Sequence, residues 1–237
     1  MHRRDTLKLV AASMLATPLI NSGRYGFAAD STPQRVHLSK NGSGRASAYA
    51  EAVKTITIGS KTHVTWLDSV DKSFLVRIRT LDRKLGKWSV TTTIGKAHDN
   101  HGGPSLTVDS KGYLHVVYFP HHHPFRYRRS LEPNDATRWS PEINIGQKLT
   151  YPTLVCGQDD TLYLTGRRSY DGKPWSIEFW KKPVGGDWQP RGVLVRSAAP
   201  GYSHFQEAMC WGPEHKRLHL SCRIHENGGS IETVGYL

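Results

Sequence analysis

Histidine, tyrosine and arginine side chains that the repeat places at one rim, among them His101, His121, Tyr151, Arg167, Tyr202, His204, Arg223 and His225, suit the removal of a proton from a carbon beside a carboxylate. An arginine that neutralises a substrate acid makes the adjacent C–H removable. A tyrosine or histidine takes that proton, and another such group delivers one to the departing oxygen. This is the chemistry of β-elimination in a uronic-acid polysaccharide. Hydrolysis is less well served, because a glycosidase needs two carboxylates at a controlled separation. Asp99 and Glu207 are the only acidic residues expected near the same place, and no Ser-His-Asp arrangement is legible.

Residues this far apart in the chain meet only if the fold carries them together, and an internal repeat supplies the means. Four short alternating segments line up: Thr62-His63-Val64, Leu114-His115-Val116, Leu162-Tyr163-Leu164 and Leu218-His219-Leu220. A second marker follows three of them in constant register, at Lys87-Trp88-Ser89, Arg138-Trp139-Ser140 and Asp187-Trp188-Gln189. Each unit of about fifty residues reads as four antiparallel strands, the size of a β-propeller blade. In the unit from Pro104 the strands are expected at 104–109, 112–119, 124–130 and 139–146, with Asp109-Ser110-Lys111-Gly112 as the first turn. The next unit starts at Pro152 and turns at Gln158-Asp159-Asp160. The expectation is therefore an all-β propeller with about three complete blades (50–97, 104–146 and 152–195) and part of a fourth (205–237). A seven-bladed ring takes roughly 350 residues at this period, so the chain is expected to be a truncated form, with a four-bladed ring as the weaker alternative.

Blade geometry converts register into location. The innermost strand leaves one rim and the second strand returns to it, so residues just before the first and just after the second share that rim. They are Asp99-Asn100-His101-Gly102-Gly103 with Pro120-His121-His122-His123, then Tyr151 with Gly166-Arg167-Arg168, then Gly201-Tyr202-Ser203-His204 with Arg223-Ile224-His225. Arg167 and Arg223 occupy one register, His121 and His225 another. One of Arg167 and Arg168 is expected to face the mouth and the other solvent. A tyrosine acting as a base needs its pKa brought down from about 10, which a neighbouring Arg or protonated His achieves.

The composition sets the compartment and the partner. With 37% hydrophobic and 22% charged residues, 22 Gly, 13 Pro, seven Trp and ten Tyr, the 237-residue chain is neither a disordered tail nor a membrane transporter, and long helices are not expected. Arg3-Arg4-Asp5-Thr6-Leu7-Lys8, an apolar run from Leu9 to Ile20, and Gly26-Phe27-Ala28-Ala29 read as a twin-arginine export signal over residues 1–29. That run is too short to span a bilayer core of about 30 Å. Residues 1–29 hold a net +3 of the formal +12, so the remainder, 30–237, carries +9. An exported, periplasmic or extracellular protein with this charge is expected to meet acidic polysaccharide rather than nucleic acid, as a monomer and without a membrane span. Cys156, Cys210 and Cys222 cannot all pair; Cys156 and Cys210 read as packed thiols, with a disulfide between them open.

Two stretches carry a family resemblance. They are Asp99-Asn100-His101-Gly102-Gly103-Pro104-Ser105-Leu106 through Tyr118-Phe119-Pro120-His121-His122-His123-Pro124-Phe125-Arg126-Tyr127, and Tyr151-Pro152-Thr153-Leu154 with Arg167. Over about residues 95–230 the chain resembles the propeller-type ulvan lyases, grouped with BNR-repeat family members. The resemblance implies a seven-bladed propeller that cleaves between 3-sulfated rhamnose and a uronic acid and leaves an unsaturated sugar. It implies that His101 and His121 are the two site histidines, Tyr151 the catalytic tyrosine and Arg167 the carboxylate-neutralising arginine. Asn100, His123, Arg168, Tyr202 and Arg223 are the expected substrate contacts, Tyr202 also matching the family's second tyrosine. His204, Cys222 and His225 are the expected ligands of a structural zinc ion, with no organic cofactor.

Blander roles fit the other repeating residues. His63, His115 and His219 recur mid-strand and read as blade packing, Trp88, Trp139 and Trp188 read as core, and His122 with His123 also suits a solvated polar run. Asp109-Ser110-Lys111-Gly112 resembles the Asp box of sialidase-like propellers but lacks its Ser-x-Asp opening and Thr-Trp close. The competing functions are a non-catalytic propeller that binds acidic glycans and, more weakly, a sialidase-like hydrolase.

Overall fold

Alternation decides the local structure. In the run SFLVRIRTLD, Val76 and Ile78 are fully buried while Arg77 and Arg79 between and beside them stay partly exposed, the period of two that makes one face of a strand apolar. The computed structural model describes residues 35–47, 52–226 and 231–237, within a unit that runs from Leu38 to Leu237. The export signal read at residues 1–29 lies outside the described residues.

Three antiparallel sheets follow one another in chain order. The first contains β1 (Thr55–Ile58), β2 (Lys61–Val70), β3 (Ser73–Asp82), β4 (Lys87–Trp88) and β5 (Thr92–Ala97), with β4 and β5 both on β3. The second has seven strands side by side: β6 (Ser105–Val108), β7 (Leu114–Tyr118), β8 (His123–Arg129), β9 (Ile143–Cys156), β10 (Leu162–Arg168), β11 (Ser176–Lys182) and β12 (Gln189–Arg196). The third contains β13 (His204–Trp211), β14 (Leu218–Glu226) and β15 (Ile231–Tyr236). No helix occurs among the described residues, and so none is long and apolar enough to cross a membrane. The chain is all-β, and its sheets are propeller-like.

One boundary differs from expectation. The last strand of the Pro104 unit begins at Ile143 rather than 139, and it does not end before Pro152. It runs on as β9, whose first half pairs with β8 and whose second half pairs with β10. Tyr151 sits at the junction with φ 60°, and the register slips between Thr165 and Arg167 opposite it. Separate strands were expected on either side of it; a left-handed residue lets one strand serve two units instead.

The core lies between successive units. Leu67, Val76, Ile78 and Ile94 of the first sheet pack on Leu106, Leu114, Val116 and Tyr118. Val117, Phe125, Ile145 and Leu149 pack on Leu154, Leu162, Leu164 and Trp180. Val155, Trp175 and Ile177 pack on Phe205, Met209, Leu220 and Cys222. Each fully buried side chain of this kind contributes about 1.5–3 kcal/mol, and these contacts fix each sheet against the next.

The repeating tryptophans sit at the edge of the core rather than in its middle. Trp139 and Trp188 are half-buried at the flanks of two clusters, and Trp88 is half-buried beneath the Arg79 guanidinium, 5.5 Å from its ring. They mark the outer end of each unit, where aromatic surface seals an edge rather than fills an interior. The cysteines also depart from expectation. All three are free, and Cys210 is exposed rather than packed, so no Cys156–Cys210 disulfide exists.

Candidate active site

The inner strands are tied shoulder to shoulder by side chains. Leu154 N donates to Ser105 Oγ at 3.0 Å, which joins β9 to β6, and Thr153 Oγ1 donates to the Glu207 carbonyl at 2.8 Å, which joins β9 to β13. Whatever precedes these strands must therefore share a rim: the loop from Asp99 to Gly103, Tyr151, and His204. Two glycines make the approach close enough. A Cβ on Gly102 would lie 2.5 Å from Ala97 Cβ and 3.0 Å from the Phe119 carbonyl oxygen, and one on Gly166 would lie 2.4 Å from the Phe125 ring.

His101, His121, Tyr151 and Arg167 come together there. The two imidazoles stack with centroids 3.9 Å apart and planes 23° from parallel. The Tyr151 ring lies 6.3 Å from His101 and 5.3 Å from His204, and the Arg167 guanidinium lies 4.6 Å from the centre of the Tyr151 ring. Asp99 anchors the histidines: His121 Nδ1 is 2.6 Å from Oδ2, His101 Nδ1 is 3.1 Å from Oδ1, and the His101 backbone N–H donates to the same Oδ1 at 2.7 Å. Burial pushes the Asp99 carboxyl upward, but the His101 backbone and His121 side-chain hydrogen bonds outweigh it and hold it below its usual value. Burial lowers the His101 pKa, against the pull of Asp99.

Arg167 is the most unusual group. It is 1% exposed, the largest fully buried side chain, and its Nε and Nη1 have no hydrogen-bond partner among the described residues. Tyr151, Trp175 at 4.8 Å and Tyr202 at 5.9 Å surround the guanidinium with aromatic faces. Such contacts return about 2 kcal/mol when desolvated, less than the several kcal/mol that burying a lone charge costs. Its charge depresses its neighbours. Burial first and Arg167 second bring both His122 and His204 down to about 4, so both are neutral near pH 7.

The remaining expected residues divide. Asn100 Oδ1 accepts from Arg45 Nη1 at 3.4 Å beside the histidines. Tyr202 is half exposed with its ring 5.0 Å from Trp175, and the exposed Arg223 donates to His225 Nδ1 at 3.3 Å. His123 turns aside, its ring 4.3 Å from His98 and 5.8 Å from Phe119. Arg168 alternates to the other face of β10 and pairs with Glu178 at 2.8 Å.

The expected zinc ligands do not form one set. His204 and His225 are register partners with rings 6.5 Å apart, but Cys222 pairs with Glu207 and faces the opposite side of β14, among Phe205, Met209 and Leu220. Strand alternation separates it from His225, three residues on. Desolvation raises the Cys222 thiol above its usual pKa, away from the thiolate a metal takes. Two histidines are half of the four ligands a structural zinc uses, so these residues do not fit that ion.

Four contributors were missed in whole or in part in the sequence. His122, which suits a solvated run, is half-buried with φ 63°, its Nδ1 2.7 Å from Ser169 Oγ and its ring 5.4 Å from Trp175. Trp175 precedes β11 outside the rim positions that register identifies, and Arg45 enters from a segment before the first unit. Asp99 was legible as a rim carboxylate but not as the partner of two imidazoles.

Comparison with known proteins gives the site its setting. A curated ulvan lyase of Alteromonas sp. (strain LOR) is 29% identical over 96 residues, covering 34% of this chain and 20% of that protein. An ulvan lyase of Pseudoalteromonas sp. (strain PLSV) is 27% identical over 96 residues with the same coverage. Among solved structures, a polysaccharide lyase PL25 ulvan lyase superimposes with a TM-score of 0.66 at 18% identity, over 81% of this chain and 50% of that one. The PL25 ulvan lyase bound to -[GlcA(1-4)Rha3S]- gives 0.64 at 19%, over 78% and 48%. These structures share the fold, and the chain spans about half of their length and matches a fifth of the curated relatives. A family model described as BNR repeat-containing family member matches residues 61–183, more than half of the chain, which thus belongs to the BNR repeat-containing family.

Proposed function

We propose that the protein is a polysaccharide lyase that cleaves an ulvan-like sulfated uronic-acid polysaccharide by β-elimination. The observation that carries this reading is Arg167, a fully buried guanidinium ringed by aromatic faces, with Tyr151 directly over it and two stacked histidines beside Tyr151. A buried cation that costs stability and faces a cluster of acid–base groups suits a substrate carboxylate. The uronate carboxylate docks on Arg167, which draws electron density from the adjacent carbon. Tyr151 or a site histidine takes the proton there, the electron pair forms a C=C bond, the C–O bond to the departing sugar breaks, and the freed oxygen takes a proton from the other group. Arg167 also supplies the positive charge that a phenolate at Tyr151 requires. Exposed arginines such as Arg223 suit the sulfates, and the -[GlcA(1-4)Rha3S]- unit bound to the similar lyase has that pattern of charge.

The sheets are read as three four-stranded blades and part of a fourth from a ring of seven, in an exported, monomeric protein. The test is incubation of the chain with ulvan while the ultraviolet absorbance of unsaturated uronate is followed. Turnover is expected, and Tyr151→Phe is expected to reduce kcat by about 10³-fold or more while glycan affinity stays within about threefold. Absence of unsaturated product from ulvan and from other uronic-acid polymers would overturn the reading. Retention of the glycan without turnover would favour a non-catalytic binder of acidic polysaccharide.

A further inference from the structure

Asp99 lies on the loop between β5 and β6, half-buried, and both its oxygens point at imidazoles. Its Oδ1 accepts from the His101 backbone N–H at 2.7 Å and lies 3.1 Å from His101 Nδ1; its Oδ2 lies 2.6 Å from His121 Nδ1. The loop is braced by a turn in which Gly102 N donates to the Asp99 carbonyl at 3.1 Å. An ionised carboxylate only accepts hydrogen bonds. Both Nδ1 atoms must therefore carry hydrogen, and a neutral imidazole with hydrogen on Nδ1 has a bare lone pair on Nε2.

We propose that Asp99 is a positioning residue that locks His101 and His121 together in the Nδ1–H tautomer, which puts the proton-accepting nitrogen of each ring at Nε2. This rests on the lyase reading of the site and deepens it. A neutral histidine in this state takes a proton or accepts a hydrogen bond at Nε2 and cannot donate one there. The proton for the departing oxygen then comes from Tyr151, and the histidines serve the abstraction side. One carboxylate thus sets two rings, which stack with their centroids 3.9 Å apart.

A metal ion is the competing explanation, because Asp99, His101 and His121 are the one set among the described residues whose ligand atoms lie within 4.8 Å of one another. The contacts argue for hydrogen instead. At 2.6 and 3.1 Å the nitrogens sit directly against the carboxylate oxygens, which is hydrogen-bond spacing, and nearly parallel stacked rings do not aim two Nδ1 lone pairs at one point between them.

The experiment reads the tautomers directly. Long-range ¹H–¹⁵N correlation spectra of the ¹⁵N-labelled chain, assigned with His101→Gln and His121→Gln, separate protonated from bare ring nitrogens. Both rings are expected in the Nδ1–H form. In Asp99→Asn the amide can accept from one ring but donates to the other, so at least one ring is expected to switch to Nε2–H. Nε2–H signals for both rings in the parent chain would overturn the proposal, whatever Asp99→Asn does to folding. So would unchanged spectra in a folded Asp99→Asn, or loss of both Nδ1–H signals on adding one equivalent of zinc chloride, which would make the trio a metal site. On ulvan, Asp99→Asn is expected to lower kcat on the order of 10²-fold with KM changed by less than about threefold. If the parent chain turns over no uronate polymer, the lyase reading fails, and the spectra still decide the role of Asp99.

Discussion

Where β7 begins, His115 has both ring nitrogens taken: Nδ1 lies 2.7 Å from Tyr127 OH and Nε2 3.2 Å from Asp109 Oδ2. The equivalent His63 on β2 is held the same way, between Thr80 Oγ1 and Asn134 Oδ1 at 2.8 Å each. Where β7 ends, at the opposite rim, His121 gives its Nδ1 to Asp99 and stacks on a second imidazole. The same residue type, one strand-length apart, is used as a two-armed brace at one rim and grouped into a reactive cluster at the other. Concavity does not mark the difference. Cavities of about 290 Å³ and 230 Å³ open at the bracing rim, lined by residues such as Trp88 with Asn134 and His115 with Arg129. What marks the reactive rim is cost. It holds a buried guanidinium whose Nε and Nη1 lack described partners, whereas non-glycine residues with positive φ occur at both rims, His122 and Tyr151 at one and Asn134 and Asp160 at the other.

The largest effect that separates the two rims comes from Arg167→Met. Turnover of a uronate polymer is expected to fall on the order of 10³-fold, while stability is expected to hold or rise by about 1–3 kcal/mol, because an apolar side chain of similar length replaces a buried lone charge. A urea titration beside an absorbance assay checks both. A large loss of stability would show that Arg167 is a brace like His115 and would erase the distinction.

The reverse pattern is expected of His115→Leu. It orphans the buried Tyr127 hydroxyl and Asp109 Oδ2, and should cost about 2–4 kcal/mol of stability, seen as a lower urea midpoint at unchanged slope. Turnover per folded molecule should not change. A drop in kcat comparable to that of Tyr151→Phe would mean that the bracing rim is coupled to the chemistry.

How much of this was legible follows from which forces act locally. Strand periodicity and turn chemistry are short-range, so the fifty-residue repeat, the strands of the Pro104 unit and the shared rim of His101, His121, Tyr151 and Arg167 could be read from spacing. Asp109 shows the same legibility: its Oδ1 accepts from Lys111 N and Tyr113 N, closing the expected turn. The continuity of β9 was not legible, because a left-handed Tyr151 is a backbone state that side-chain type does not announce. Nor was the separation of Cys222 from His225, since register counted along the strand places them at one end but parity sends them to opposite faces. His122 and Trp175 escaped for a third reason. Their roles come from packing around Arg167, Trp175 from a loop of the same unit and His122 from the preceding unit once the two have docked. Asp99 could be placed but not given its task, because whether a carboxylate faces one imidazole, two or none depends on angles that spacing does not encode.

Parity supplies the smallest expected effect. Arg167 and Arg168 are consecutive on β10, so one side chain enters the cluster and the other leaves it. Arg168 Nη1 meets Glu178 Oε1 at 2.8 Å, and Tyr170 OH donates to the same oxygen at 3.0 Å, so Glu178 keeps a partner when Arg168 is lost. With the Arg168 side chain 36% exposed, water screens the pair, and Arg168→Ala is expected to cost only about 0.2–1 kcal/mol. As an outlying contact for a sulfated polymer it should raise KM by no more than about threefold and leave kcat unchanged. Measured beside Arg167→Met, it holds residue type and sequence neighbourhood nearly constant and varies only the face of the strand. If Arg168→Ala instead lowers kcat on the scale of Arg167→Met, the strand face is not what confers reactivity, and the ion pair with Glu178 must open when substrate binds.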